Sequence, residues 1–250
     1  MNVDRFMVDN TLVWTLTSHG YQFFTQNLIL NLKKRGIKWN LCVVCADDAS
    51  YQFMIREGIS AVKAPSRLPD FGVEISPFGS SNFQRLNLVK LACLDAFAND
   101  PKIQNCIYMD GDIAVYDDFL PDILSRLELS PLLFQCDEKE RDITCCSNAC
   151  PNPCTGFIAW KHGFDHNIFK MDNPTIWKQK PEDQLWVQHK LKQNAVDYMT
   201  LPRNLYPNGA FATIVGSQSE KEAYILHYNY RVGNVKKAHM KRFGDWNLLF

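Results

Sequence analysis

The chain has 250 residues, of which 46% are hydrophobic and 12% aromatic, and its formal net charge is zero. This composition is typical of a folded globular protein and argues against intrinsic disorder. The neutral net charge gives no general preference for nucleic acid or for an anionic membrane surface. No apolar stretch approaches the roughly 18 residues of a membrane span. The N-terminus lacks the basic and apolar regions of a signal peptide, so we expect a soluble, cytoplasmic protein.

The first quarter of the chain alternates predicted strands with predicted helices. Apolar, β-branched runs are separated by stretches with helical spacing, which stop at Gly36 and Gly58. The predicted order is a strand at 11–18, a helix at 20–36, a strand at 38–48, a helix at 49–58 and a strand at 59–65. This alternation favours a parallel sheet with crossover helices on its faces.

A loop rich in Pro, Gly and Ser at 66–81 precedes the strongest helical pattern of the chain, at 82–100. The later predicted elements are strands at 105–109, 130–137, 154–160, 196–202 and 223–230, helices at 119–127 and 180–193, and a basic, partly helical tail at 232–246. There is no internal repeat and no linker long enough to separate domains. We therefore expect a single α/β domain with a mostly parallel central sheet flanked by helices.

Four aspartates follow the predicted strand at 105–109: Asp110, Asp112, Asp117 and Asp118. Ligands of open α/β sheets bind outside the carboxyl ends of the parallel strands, so the aspartates lie where a site is expected. The first two share a face of an extended chain, and Gly111 between them lets a ligand come close. Two converging carboxylates must share a proton or a cation, and at neutral pH a divalent cation is the simpler solution. The other two aspartates are predicted to cap the next helix.

This pattern resembles the GT-A nucleotide-sugar glycosyltransferases, in particular the nucleotide-diphospho-sugar transferase family, and in outline the glycogenin-like enzymes. The D-x-D motif reads "YMDGDIAV", and the helix before it carries "FQRL". Three later stretches are also similar to the family: "TGFIAW" at 155–160, "EDQ" at 182–184, and "LHYNY…GNVKK", with the order H-x-x-x-x-x-G-x-x-K. The matches span nearly the whole chain. Cys154 departs from the family, which often has Asn before the Thr-Gly pair, and this leaves the acceptor side open.

The resemblance implies a single Rossmann-like GT-A domain over residues 1–250, with a nucleotide-binding half at about 1–118 and an acceptor-side half with a closing C-terminal segment at about 119–250. It implies a hexosyl- or pentosyltransferase that moves a sugar from a nucleoside-diphosphate donor, with UDP the expected nucleotide, to a glycan or another hydroxyl acceptor. The expected cofactor is Mn²⁺ or Mg²⁺, because a divalent cation stabilises a leaving diphosphate. Two carboxylates and one imidazole suit Mn²⁺ better than Mg²⁺.

The resemblance also assigns roles to single residues. The implied metal ligands are Asp110, Asp112 and His227. The implied donor-binding residues are Arg85, Lys90, Asp110, Gly111 and Lys236, with Arg85 favoured over Lys90 because it lies in the first turn of its helix. The candidate catalytic acids are Asp183, which the resemblance places beside the donor sugar, and Asp70, with Glu74 and Glu182 as alternatives. An inverting enzyme needs such a base and a retaining enzyme of this shape does not, and the sequence does not decide between them.

Several of these residues have a purely structural alternative. His227 also fits a half-buried strand histidine, and Lys237, next to Lys236, fits a solvated helix face. Glu182 fits stabilisation of a helix N-terminus.

The cysteines fall into two groups. Those in apolar runs are expected to be buried and unpaired: Cys42, Cys45, Cys93 and Cys106. A second group, Cys145, Cys146, Cys150 and Cys154, lies in the stretch "CCSNACPNPC". Four thiolates could bind zinc or an iron–sulfur cluster. Their spacing does not match a paired C-x₂-C site, so a loop between strands is the alternative.

Two other function classes remain open. A phosphohydrolase of the haloacid-dehalogenase type also has D-x-D after an apolar strand, but it expects the motif near the N-terminus and Thr or Val two residues after the second Asp. Here the motif lies mid-chain and position 114 is Ala. A non-catalytic sugar-binding module on the same fold is the other class, against which the intact D-x-D and His227 argue. The sequence leaves the donor sugar, the acceptor and the oligomeric state open.

Overall fold

The computed structural model describes residues 1–65, 75–137, 152–173, 182–211 and 222–249. The strands in these ranges are β1 (Thr11–Thr17), β2 (Leu41–Cys45), β3 (Ala61–Lys63), β4 (Asn105–Met109), β5 (Ile113–Val115), β6 (Leu132–Cys136), β7 (Pro153–Lys161), β8 (Met199–Thr200) and β9 (Ile225–His227). The α-helices are α1 (Gln22–Lys34), α2 (Asp48–Arg56), α3 (Ser81–Ala98), α4 (Leu120–Leu127), α5 (Asp183–Gln193) and α6 (Gly233–Arg242). Short 3₁₀ helices lie at Asp4–Phe6, His19–Tyr21, His166–Ile168 and Gly209–Phe211.

Seven strands form one sheet in the order β3-β2-β1-β4-β7-β6-β8, and β5 pairs with β9 in a separate two-stranded sheet. The strands β3, β2, β1 and β4 run parallel, β7 runs antiparallel to β4 and β6, and β8 is parallel to β6. The predicted α/β class with a mostly parallel central sheet is therefore confirmed.

The sheet is buried on both faces, as parallel sheets covered by helices are. All seven residues of β1 are buried. On one face Trp14 stacks near Tyr108 and Phe97, with ring centroids 4.5 Å and 4.9 Å away. On the other face Val13 packs in a second cluster with Ile107. Successive residues of one strand thus enter two different cores, which fixes the face of the sheet on which each side chain lies.

The predicted elements agree with the structure except at particular points. The sequence pattern did not predict β5 as a strand of its own. The two late strands are shorter than the predicted 196–202 and 223–230. Helix α3 is capped by Ser80, whose Oγ accepts a hydrogen bond from the Phe83 N–H at 3.3 Å, whereas the sequence pattern predicts Ser81 or Asn82 as the cap. Most of the predicted loop at 66–81 lies outside the described residues.

The C-terminal segment packs on the two-stranded sheet through a buried carboxylate. Oδ2 of Asp245 accepts hydrogen bonds from the hydroxyls of Tyr116, at 2.7 Å, and Tyr228, at 2.6 Å. The amide of Asn27 on α1 donates to the backbone carbonyl of Asp245 at 2.8 Å. Met240 of α6 is fully buried beside them. Among the residues that the structure describes, no helix has the length and apolar character needed to cross a membrane.

Candidate metal and donor site

Three side chains converge beyond the carboxyl end of β4. Asp110 directly follows β4, Asp112 directly precedes β5, and His227 ends β9 opposite Ile113 of β5. Nε2 of His227 lies 3.6 Å from Oδ2 of Asp110 and 3.4 Å from Oδ1 of Asp112. Ligand atoms that sit about 2.1 Å from one ion are separated by distances of this size. The pairing of β5 with β9 therefore brings the three predicted metal ligands together.

The sheet is opened at this point by an irregularity in β7. Phe134 of β6 pairs with Ile158, but the next residue, Gln135, pairs with Cys154, so residues 155–157 have no partner on β6. One of them, Gly156, accepts the Asp110 N–H at 2.8 Å. A Cβ at Gly156 would lie 2.1 Å from Cε1 of His227 and 2.8 Å from Oδ2 of Asp110. Bulges often re-aim residues next to functional sites, and here only glycine leaves room for the imidazole ring.

Lys236 of α6 reaches the same cluster from the C-terminal side. Its ammonium donates to Oδ2 of Asp112, and both side chains are nearly buried. Burial by itself opposes the charge of Asp112, but the charge of Lys236, together with the contacts of His227 and Lys236 to the carboxylate, outweighs it and holds the pKa of this carboxyl well below its ordinary value. Asp112 is thus a carboxylate in the folded protein, as a metal ligand must be.

Lys90 of α3 lies on the opposite side of Asp110. Its ammonium is 2.7 Å from Oδ2 of Asp183 and 3.4 Å from Oδ1 of Asp110. The hydroxyl of Thr155 donates to Oδ2 of Asp183 at 2.8 Å. Burial disfavours the charge of Lys90, yet the two carboxylates raise its pKa above the ordinary value. The predicted catalytic acid Asp183 is therefore linked by one buried ammonium to the predicted metal ligand Asp110.

The two basic residues of α3 lie in different surroundings. Lys90 is buried in the cluster, whereas Arg85 is exposed on another face of the helix. The phase of α3 against the sheet explains this, because residues five apart do not share a helix face. The donor-binding role of Arg85 stays a prediction.

A cleft of about 400 Å³ opens beside the cluster, between the first turns of α1 and α6. Phe23 and Phe24 of α1, Asn234 and Lys237 of α6, and Trp246 line the cleft. The ammonium of Lys237 lies 5.0 Å from the centre of the Trp246 ring. The cleft adjoins the metal cluster, since the Lys236 ammonium lies 5.8 Å from the centre of the Phe24 ring. Flat aromatic walls with a lysine suit a nucleotide.

The remaining sequence-predicted residues have different outcomes. Asp70 and Glu74 lie outside the described residues. Glu182 directly precedes α5 and makes no side-chain cap hydrogen bond, although it borders Asp183. Of the two aspartates predicted to cap α4, Asp118 accepts the N–H of Leu120 at 3.1 Å, whereas Asp117 accepts the N–H of Asp118 instead.

The four cysteines in apolar runs are buried and free, as expected. Cys154 is also buried and free in β7, and the other three members of its group lie outside the described residues. Burial, and next the charge of Asp137, raise the pKa of the Cys154 thiol well above its ordinary value, so it is a poor thiolate ligand.

Sequence reasoning missed three residues of the site. Tyr108 donates its hydroxyl to Oδ1 of Asp110. Thr155 holds Asp183, and Gln135 contacts His227. Tyr108 lies two residues before Asp110 on the same strand face, and this spacing could have pointed to it. Gln135 carries no sequence signal, because its partner lies 92 positions away.

No family model and no curated protein matches this sequence. Solved glycosyltransferase structures match the fold across almost the whole chain. The galactosyltransferase LgtC, determined in complex with donor and acceptor sugar analogues, matches with a TM-score of 0.56 and 12% identity over 95% of this chain and 97% of that one. The chain has the GT-A fold.

Two further structures support the same assignment. A glycosyltransferase involved in glycosylation of the major capsid of PBCV-1 matches with a TM-score of 0.50 and 11% identity, over 93% of this chain and 98% of that one. GlyE of Streptococcus pneumoniae matches with a TM-score of 0.52 and 12% identity over 93% of this chain, but over only 59% of its own. At such low identity these likenesses establish the fold alone.

Proposed function

We propose that the protein is a metal-dependent glycosyltransferase. It moves a hexosyl or pentosyl group from a nucleoside-diphosphate sugar, with UDP the expected nucleotide, to a hydroxyl of a glycan or another acceptor. The observation that carries this proposal is the convergence of Asp110, Asp112 and His227 beyond the carboxyl end of β4 in a chain with the GT-A fold. A site at this end of the sheet is where open α/β folds bind their ligands.

The donor set suits a divalent cation. Two carboxylates and one imidazole are ligands that Mn²⁺ accepts readily, and Mg²⁺ prefers more oxygen. When bound, the ion would stabilise the negative charge that develops on the leaving diphosphate. Asp110, Asp112 and His227 would hold it.

The two buried lysines have different tasks in this proposal. Lys236 lies beside Phe24, which lines the cleft, and its flexible chain would allow the ammonium to turn from Asp112 towards a phosphate oxygen. Lys90 stays between Asp110 and Asp183 and keeps both carboxylates in place. Lys236 therefore binds the donor directly, whereas Lys90 orients the residues that bind it.

In this proposal Asp183 contacts the donor sugar. Thr155 and Lys90 both contact its Oδ2, and we assign its Oδ1 to a hydroxyl of the sugar. A carboxylate held in this way is a strong, well-oriented hydrogen-bond acceptor. Asp70 remains the candidate for a general base on the acceptor hydroxyl, as an inverting reaction would require.

The direct test is donor hydrolysis and transfer. The protein is incubated with a panel of nucleotide sugars and Mn²⁺, and released nucleoside diphosphate is measured, with p-nitrophenyl phosphate in a parallel assay. Release from one nucleotide sugar that stops on adding EDTA supports the proposal. Release of phosphate from p-nitrophenyl phosphate alone would support the phosphohydrolase class instead.

A binding measurement separates an enzyme from a sugar-binding module. UDP and Mn²⁺ together should raise the melting temperature more than the sum of their separate effects. A ligand at a hundredfold excess over its dissociation constant stabilises the folded state by about 2.7 kcal/mol. Binding of a nucleotide sugar without any release of diphosphate would favour the module, and equal shifts with and without Mn²⁺ would contradict a metal-bridged diphosphate.

A further inference from the structure

His227 contacts a glutamine on the side of its ring that faces away from the carboxylates, and the role given to this glutamine below rests on the proposed function of His227 as a metal ligand. Nδ1 of His227 lies 2.8 Å from Oε1 of Gln135 on β6. Both side chains are buried, with 0% of Gln135 and 2% of His227 exposed. The contact is therefore shielded from water, and its polarity has to be satisfied within the protein.

The orientation of the Gln135 amide is fixed by two backbone carbonyls. Its Nε2 donates to the carbonyl of Tyr206 at 3.0 Å and to that of Pro207 at 2.9 Å. Carbonyl oxygens only accept hydrogen bonds, so the NH₂ group must face them and Oε1 must face the imidazole. The reversed amide would set Oε1 against two carbonyl oxygens.

The position of a proton on His227 follows from this orientation. Oε1 of Gln135 can only accept, so Nδ1 of His227 must carry a hydrogen. In a neutral imidazole the lone pair is then on Nε2, which lies 3.4 Å from Asp112 and 3.6 Å from Asp110. Nε2 is thus the ring atom that can bind a metal together with the two carboxylates.

The backbone reinforces the same geometry. The N–H of His227 donates to the Pro207 carbonyl at 3.1 Å, so one carbonyl is shared by the main chain of His227 and the side chain of Gln135. Gln135 is also the residue at which the pairing of β6 with β7 shifts register. The bulge therefore positions Gln135 behind the ring and Gly156 against its edge.

We propose that Gln135 is a positioning residue, which fixes the tautomer and orientation of His227 so that Nε2 is presented to the metal. Outer partners of metal-binding histidines act in this way, and their loss costs about 10–100-fold in metal affinity. The chemical requirement is an acceptor at Oε1, not the bulk of the side chain. The two can be separated by substitutions of similar size.

The test compares Gln135→Met, which keeps the length and removes the acceptor, with Gln135→Glu, which as a neutral acid keeps an acceptor for Nδ1 and one O–H donor for the backbone carbonyls. Ring ¹⁵N chemical shifts of metal-free protein are measured above the titration range of histidine, and His227→Gln identifies the signals of His227. We expect the Nδ1–H tautomer in the wild type and in Gln135→Glu. We expect it to be lost in Gln135→Met, where Nε2–H can bond to the aspartates instead.

Mn²⁺ affinity is measured on the same proteins by electron paramagnetic resonance. It should fall by about 10–100-fold in Gln135→Met and largely recover in Gln135→Glu. Gln188→Met makes the same chemical change in another polar cluster and should leave both readouts unchanged. An unchanged tautomer in Gln135→Met, or equal loss of affinity in both Gln135 variants, would overturn the positioning role.

The tautomer measurement also separates this inference from the proposed function. If the wild type binds no Mn²⁺, the metal-dependent function is wrong, whereas the ¹⁵N shifts still report whether Gln135 sets the tautomer. Melting temperatures of all variants check that the fold is intact. If Gln135→Met unfolds cooperatively and has lost the Nδ1–H tautomer, the inference is supported. If Gln135→Met does not fold, Gln135→Glu becomes the test, and a tautomer that differs from the wild type in this variant would overturn the inference.

Discussion

Two buried carboxylates lie beside the same two-stranded sheet and are neutralised in different ways. Asp112, 7% exposed, is faced by the ammonium of Lys236 and the imidazole of His227, with Asp110 as a second carboxylate nearby. Asp245, 2% exposed, is held by two tyrosine hydroxyls. The carboxylate of Asp112 thus lies among ionisable groups, whereas Oδ2 of Asp245 accepts from two neutral hydroxyls.

The difference shows how a binding carboxylate can be told from a structural one. Two hydroxyl donors satisfy Asp245 within the fold and fix the end of the chain against β5 and β9. Around Asp112, a second carboxylate adds negative charge, which either the Lys236 ammonium or a bound divalent cation can balance. We therefore expect changes at Asp112 to affect the reaction, and changes at Asp245 to affect stability.

The largest effect is expected from Asp112→Asn. The substitution keeps the shape and removes a ligand charge, so transfer should fall by about a thousandfold, the scale for losing a main electrostatic stabiliser of the transition state. The melting temperature should fall, because the buried Lys236 ammonium loses its charged partner, but unfolding should stay cooperative, and activity is compared on the folded protein. The exposed Asp117→Asn is the matched control and should transfer at the wild-type rate. Wild-type activity of Asp112→Asn at limiting Mn²⁺ would show that Asp112 is not a ligand.

Gly156→Ala should have the next largest effect, because a Cβ there would lie 2.1 Å from the His227 ring. The ring must move away from the carboxylates, and Mn²⁺ affinity should fall by about 10–100-fold. Gly36→Ala serves as a control for general strain, since Gly36 has φ +68° and open space around it. It should lose stability and keep wild-type Mn²⁺ affinity. Equal Mn²⁺ affinity in both variants would mean that the ring does not need this clearance.

A smaller effect is expected when Lys236 is replaced by Met. The KM for the nucleotide sugar should rise about tenfold, equivalent to about 1.4 kcal/mol, because a charge at the diphosphate is lost. Mn²⁺ affinity should not fall, since the ammonium no longer occupies Asp112. The comparison is Lys237→Met, which removes the ammonium that lies over Trp246 in the wild type. This variant should change KM less. If Lys237→Met raises KM more than Lys236→Met does, the two roles are reversed.

Asp245→Asn should change the reaction least. One tyrosine hydroxyl loses its acceptor, and leaving a buried donor unsatisfied costs about 1–3 kcal/mol of unfolding free energy. Urea unfolding measures this loss, and the transfer rate of the folded fraction should stay close to that of the wild type. A large loss of activity without a loss of stability would give Asp245 a part in the reaction.

The tyrosines beside Asp245 predict a small pH effect on stability. Burial, and then the charge of Asp245, raise the pKa of Tyr228 above its ordinary value of 10.0. The unfolded chain therefore releases this proton first, so the stability contributed by Tyr228 is complete below about pH 10 and falls as the pH rises above it. The free energy of unfolding, measured with urea, should fall less steeply between pH 9 and pH 11 in Tyr228→Phe than in the wild type. An equally steep decline in the variant would remove Tyr228 as a cause.

Much of the fold could be predicted because its signals are local. The buried run of β1, the helical spacing of α1 and α3, and the glycines that end helices all act within a few residues. The D-x-D motif could be placed for the same reason, since it directly follows β4 and a strand end in such a sheet is a ligand position. His227 was reached only through the resemblance, because a lone strand histidine carries no local signal for metal binding.

The sequence by itself determined which residues form the elements and that acidic residues end a central strand. The tertiary structure decided which of them meet. Lys236 reaches Asp112 from 124 positions away, and Gln135 reaches His227 from 92. Lys90 rather than Arg85 enters the cluster because the phase of α3 against the sheet is set by packing of the whole core. Local propensity acts through neighbours along the chain, whereas these contacts depend on strand pairing and helix packing that no short stretch encodes.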